Sequence, residues 1–142
     1  MRNSNEAIGD NLYDETLVGT AGDDVLIGVA GNNIRHDEFY GYTGNDVIDN
    51  SDGGLSLVLA GDGNDIVTGG DETDLIYGQS GDDTLNGGAG GDNLNGFIGD
   101  ESLIGGDGWD KIWGSSGNDT LLGGADNDQL RAGEDDDLVY GE

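Results

Sequence analysis

From Val67 to Val139 an aliphatic residue recurs at every ninth position: Val67, Ile76, Leu85, Leu94, Leu103, Ile112, Leu121, Leu130 and Val139. Two residues before each stands an acid, in the order Asp65, Asp74, Asp83, Asp92, Glu101, Asp110, Asp119, Asp128 and Asp137. Ala60 to Glu142 is thus one phrase repeated without a gap, glycine-glycine-x-glycine-x-aspartate-x-aliphatic-x. Nine copies in unbroken phase mark a stacked repeat architecture.

Positions seven to nine of each phrase predict a short strand, with the eighth side chain inward and its neighbours outward. The first six positions predict a turn, in which glycines supply positive-φ backbone. Two phrases complete a coil of about 18 residues, so successive strands alternate between two facing parallel sheets. Coils stack at roughly 4.8 Å, and about eight of them give an all-β rod approaching 40 Å. One aliphatic residue per strand makes a thin core that cannot hold such a rod alone.

The earlier chain follows the same pattern with interruptions. Residues 1–18 read as a degenerate cap in which Ile8 and Leu17 fall in phase with Leu26, while Glu6 and Glu15 replace aspartate. Residues 19–59 carry irregular repeats, and 60–142 regular ones, within one solenoid domain. In GVAGNNIRH (28–36), Asn33 takes the acid column and Arg35 the aliphatic column. Asp37-Glu38-Phe39-Tyr40 then reads as a four-residue insertion, which predicts a bulge or protruding loop at 35–40. Asn50 is a further insertion, and Ser56 replaces the acid of its repeat.

Charge changes the picture more than length does. The chain of 142 residues holds 31 acids against 4 bases, a formal charge of −27. That excludes nucleic acid, whose phosphates need a basic footprint, and disfavours anionic membrane surfaces. No apolar run reaches the ~18 residues that span a bilayer. There is no cysteine and one histidine, so thiolate and imidazole metal chemistry is excluded. No nucleophile accompanies His36, and no nucleophile elbow or full EF-hand loop occurs, so the chain reads as a non-enzyme. The threonines Thr16, Thr84 and Thr120 are too scattered for a flat ice-binding rank.

Alternation sorts the acids onto two edges. One carries Asp24, Asp46, Asp65, Asp83, Glu101, Asp119 and Asp137; the other carries Asp74, Asp92, Asp110 and Asp128 after Glu15, Asn33 and Ser56. Carboxylates one strand spacing apart repel unless a cation lies between them. Calcium, a hard ion that takes 6–8 oxygen ligands, suits such a slot better than magnesium.

The phased nonapeptides, with GGAGGD at 87–92 and GGDGWD at 105–110 as full matches, resemble the repeats-in-toxin family over about 19–141. The resemblance implies a right-handed parallel β-roll with calcium between consecutive turns, held by the sixth-position acids and backbone carbonyls. It implies slots at Asp65–Asp83, Asp119–Asp137, Asp74–Asp92, Asp92–Asp110 and Asp110–Asp128. Asp24–Asp46 and Asp46–Asp65 flank insertions, and Glu101 brings a longer side chain. Seven to nine ions are expected; seven would bring the charge from −27 to about −13. The expectation is a calcium-binding module, disordered without the ion and folded with it, in an exported, extracellular or cell-surface protein without a cleavable signal peptide. The alternative is a self-assembling subunit of a calcium-stabilised fibre, surface layer or matrix. Its interface would be open strand edges, or two outward apolar patches: Leu57, Leu59, Leu75 and Tyr77 on one sheet, Val25, Ile27, Val47 and Ile66 on the other.

Overall fold

The computed structural model describes residues 2–3, 6–8, 16–28 and 36–141. Every element among them is a strand, and consecutive strands alternate between two parallel sheets of eight. The first sheet is β1 (Arg2–Asn3), β3 (Thr16–Val18), β5 (Asp37–Thr43), β7 (Ser56–Asp62), β9 (Leu75–Ser80), β11 (Asn93–Ile98), β13 (Lys111–Ser116) and β15 (Gln129–Glu134). The second is β2 (Glu6–Ile8), β4 (Val25–Ile27), β6 (Val47–Asp49), β8 (Ile66–Thr68), β10 (Thr84–Ala89), β12 (Ser102–Asp107), β14 (Thr120–Ala125) and β16 (Leu138–Tyr140). Like residues stack one coil apart: Leu85 pairs with Leu103, which pairs with Leu121. The solenoid has about 18 residues per turn, as the nine-residue phrase requires.

The core is a single file between the sheets. Leu26, Ile48, Val58, Ile76, Leu85, Leu94, Leu103, Ile112 and Leu121 have no exposed surface. The regular strands are six residues long rather than three, running from position seven through the third position of the next phrase. They can do so because position two adopts positive φ while its neighbours keep pairing, as at Gly88 (φ 105) and Gly106 (φ 114).

Three expectations about the irregular part change. Residues 37–40 are not a protruding loop: they open β5, which pairs with β3 and β7. Phe39 is fully buried in the aliphatic file and Asp37 is buried in line with Ser56. The four extra residues therefore fall before β5. The physical reason is burial: an Asp-x-Phe segment fills the acid and core positions, where Arg35 would put a charge in the core. Gly28 makes the room, since a side chain there would meet the Phe39 ring. Asn33, Arg35 and Glu15 lie outside the described residues. Ile8 also falls one residue off the core column, because Ala7 pairs with Leu26 and Ile8 with Ile27. Leu17 does enter the file, at 2% exposure.

The first apolar patch is less open than expected. Leu57 pairs with Leu75 and Leu59 with Tyr77, as the period predicts, but all four side chains are half-buried by one another. On the second sheet Val25, Val47 and Ile66 stand in one row and are exposed, with Ile27 partly covered.

Candidate metal edges

Two sets of turns flank the sheets. Those running from the first sheet to the second make the first edge; those running back make the second. The sixth-position acid closes each turn, and its backbone carbonyl pairs with the next coil, as in Thr84 N to Asp65 O at 2.8 Å. Its side chain turns inward: Asp24, Asp46, Asp65, Asp74, Asp83, Asp92, Glu101, Asp110 and Asp119 are all at most 2% exposed. Asp128 and Asp137, nearer the carboxyl end of the stack, are partly covered.

One oxygen of each aspartate is occupied in the same way. Oδ1 accepts the backbone N–H of the acid one coil earlier: Asp65 N to Asp83 at 2.8 Å, Asp74 N to Asp92 at 2.7 Å, Asp92 N to Asp110 at 2.8 Å and Asp119 N to Asp137 at 2.9 Å. The other oxygen is different. Oδ2 of Asp46, Asp65, Asp83, Asp92, Asp110, Asp119 and Asp128 is buried with no hydrogen-bond partner, as are both carboxylate oxygens of Glu101. The longer glutamate thus leaves the ladder that the aspartates build.

Unpaired buried carboxylate oxygens cost several kcal/mol or change their protonation. Burial pushes Asp65 and Asp92 up to about 7 and Asp83 to about 6, against the pull of the N–H each accepts. Burial and the charges of Asp83 and Asp119 lift Glu101 to about 8. Burial raises Asp46, Asp74, Asp110 and Asp119 as well.

The unpaired oxygens front a cradle of backbone carbonyls. A Cβ at Gly87 would meet both Asp92 Oδ2 and the carbonyl of Gly105 one coil on, and one at Gly105 would meet Asp110 Oδ2 and the carbonyl of Gly123. On the first edge Gly114 looks onto Asp119 Oδ2 and the carbonyl of Ala132, and Gly41 onto Asp46 Oδ2 and the carbonyl of Ala60. Among the described residues no three acidic or imidazole side chains converge. The oxygen set is therefore mixed, carboxylate plus carbonyl, which matches a hard cation of high coordination number.

Two members of the columns stand apart. Asp74 is fully engaged by Ser56 N, Ser56 Oγ and Gly70 N, and Asp24 by the N–H and hydroxyl of Thr20. Two features escaped the sequence reading. Asp37 is the second edge's acid in its coil. On the first edge, fifth-position Asp and Asn residues build an outer ladder of opposite polarity: Asn64 N to Asn45 Oδ1 at 2.8 Å, Asp82 N to Asn64 Oδ1 at 3.0 Å, Asp100 N to Asp82 Oδ1 at 2.9 Å and Asn118 N to Asp100 Oδ1 at 2.7 Å. Sorting the fifth column by alternate repeats, as the sixth was sorted, would have exposed it.

A parallel solenoid with rows of buried, half-unpaired carboxylates on both edges is a cation-binding roll. The model of the RTX calcium-binding nonapeptide repeat, in four copies, matches residues 10–34, 35–54, 59–94, 95–130 and 113–142. The chain belongs to that family, and it is a calcium-binding β-roll module. No curated protein and no solved structure is significantly similar to it.

Proposed function

We propose that this roll is a calcium-gated folding module of an exported protein, stiff where calcium is plentiful and unfolded where it is scarce. The observation that carries the reading is the row of buried carboxylate oxygens without partners, those of Asp46, Asp83, Asp92, Asp110, Asp119 and Asp128 lying beside a carbonyl of the next coil. Asp46, Asp65, Asp83, Glu101, Asp119 and Asp137 would hold ions on the first edge, and Asp92, Asp110 and Asp128 on the second. Asp24 and Asp74 would contribute by giving up their present N–H partners. Calcium would supply the positive charge that stacked carboxylates lack. The chain supplies orientation, since the N–H of the previous acid holds each Oδ1 and aims Oδ2 at the carbonyls. At ten times its dissociation constant, each independent site adds about 1.4 kcal/mol, so several sites match a whole domain's stability.

A low-calcium cytoplasm and a calcium-rich exterior would then switch the chain from exportable to folded. A calcium titration followed by far-ultraviolet circular dichroism tests this: β-signal should appear cooperatively with calcium and vanish in chelator. A spectrum identical in both would overturn it.

A second reading, end-to-end assembly into a fibre or layer, rests on one observation. Val139 stands in the core column yet is 49% exposed, between Leu138 and Tyr140, which are also exposed. Another coil, from more chain or from a second molecule, would cover it. Light scattering recorded during the same titration separates the two readings, because assembly raises scattering with the β-signal.

A further inference from the structure

In a chain with 31 acids, the seventh and ninth positions of the regular coils carry no carboxylate on either sheet, from Leu57 to Arg131 on the first and from Ile66 to Tyr140 on the second. The outer face of the first sheet is set apart by its cations and its rings. Lys111 and Arg131 both stand there. Aromatic rings gather on this face instead. Tyr77 and Trp113 flank Asn95 in one row of paired positions. Phe97, near the end of β11, stands beside the row with its ring centroid 5.9 Å from that of Tyr77.

Phe97 is held at φ 83, and Tyr42 further along the same edge at φ 78, where the family pattern has glycine. Left-handed backbone costs a bulky residue of order 1 kcal/mol or more, and such strain clusters at sites of function. The result is a pair of adjoining grooves. One of about 440 Å³ lies between Leu59, Tyr77 and Phe97; the next, of about 240 Å³, runs from Tyr77 past Asn93 and Asn95 to Trp113.

Ring faces attract polarised C–H groups, and the side-chain amides of Asn93 and Asn95 offer donors and acceptors together. Ser115 Oγ already donates to Asn95 Oδ1 at 3.1 Å, but an apolar helix laid here would still bury the amide N–H groups without acceptors, at ~1–3 kcal/mol each. A polyanion would meet the field of a −27 chain, and a polycation would choose the acidic edges. What remains is a partner that is uncharged, hydroxyl-rich and extended. We propose that this face binds a neutral polysaccharide strand laid along the roll axis. Tyr77 and Trp113 stack on sugar rings two coils apart, roughly 9.6 Å at the strand spacing, close to one disaccharide. Asn95 between them hydrogen-bonds the intervening sugar, and Phe97 walls the groove.

The inference rests on the calcium-folded roll, so folding is checked by circular dichroism before any sugar is added. Trp109→Phe leaves Trp113 as the sole tryptophan reporter. That chain, in millimolar calcium, is titrated with cellohexaose, chitohexaose and maltohexaose, and followed by fluorescence and calorimetry. At least one hexaose should bind and shift the Trp113 emission. Tyr77→Leu and Trp113→Leu keep apolar bulk but remove the ring face, and each should weaken binding at least tenfold by calorimetry with the calcium response unchanged. Four results would overturn the proposal: no hexaose binding by a folded chain, binding untouched by both leucine variants, binding of oligogalacturonate alone, or burial of Trp113 by concentration-dependent self-association. A chain that stays unfolded in calcium would overturn the calcium reading, and this one with it.

Discussion

The first edge of the roll is stitched twice and the second only once. Both have the inner ladder in which each acid's Oδ1 takes the N–H of the coil before. The first edge adds the outer ladder of Asn45, Asn64, Asp82, Asp100 and Asn118, running the other way. On the second edge the fifth position holds Thr73, Gly91, Trp109 and Asn127, which build no such ladder, and Trp109 is 70% exposed. The second edge keeps glycine at its positive-φ second positions, Gly88, Gly106 and Gly124, where the first carries Gln79, Phe97 and Ser115 between Gly61 and Gly133. One edge has hydrogen bonds to spare and can tolerate side chains in its turns. The other keeps glycine at these second positions, with Asp126 at φ 79 near the end of the stack, and depends more on what fills its carboxylate row.

The largest expected effect erases the contrast. Chelation should unfold both edges together, because the core file is too thin to hold either; hydrogen exchange resolved along the chain would show whether any first-edge protection survives. Acidity should partly replace the ion. The folded-state values of Asp65, Asp92 and Glu101 lie above those of free carboxyls, at about 7, 7 and 8. The calcium-free roll therefore binds extra protons, and its stability is greatest below pH ~4 and lost as pH rises through 6–8. In chelator, circular dichroism should recover β-signal on acidification; with calcium present the trend should reverse, as protons compete for the same oxygens.

Single substitutions separate the edges. Asp92→Ala removes the acceptor for Asp74 N on the once-stitched edge and should cost about 2–3 kcal/mol in calcium. Asp83→Ala does the same to Asp65 N, but with the outer Asn64–Asp82 bond beside it, and should cost about 1 kcal/mol less by denaturant titration. Equal losses would mean that the outer ladder adds nothing. Glu101→Asp should restore the broken step of the inner ladder and gain about 1 kcal/mol, read as a raised midpoint. Smallest is the outer ladder itself: Asn64→Ala should cost about 0.5 kcal/mol, whereas Asn127→Ala at the matching place on the second edge should cost nothing measurable.

Where the nine-residue phrase is intact, the sequence placed the core and acid columns, although the strands run six residues rather than three. Up to Leu121 and Asp119 the aliphatic column became the buried file and the acid column the buried carboxylate rows, while Asp128, Leu130, Asp137 and Val139 near the end of the stack are less covered. It was misread where the phase slips. Assigning Asn33 and Arg35 by counting ignored that Asp37 and Phe39 satisfy the same two columns without burying a charge. Ile8 was misplaced by the same kind of count, since Ala7 takes its place opposite Leu26.

Periodicity by itself determined the coil length, the alternation between sheets and the edge on which each acid stands, because these follow from nine residues per strand and turn. Only the tertiary structure decided which oxygen of each carboxylate is spent on the neighbouring coil and which is left without a hydrogen-bond partner. That choice depends on how one turn sits on the next, and one repeat read alone contains no next turn.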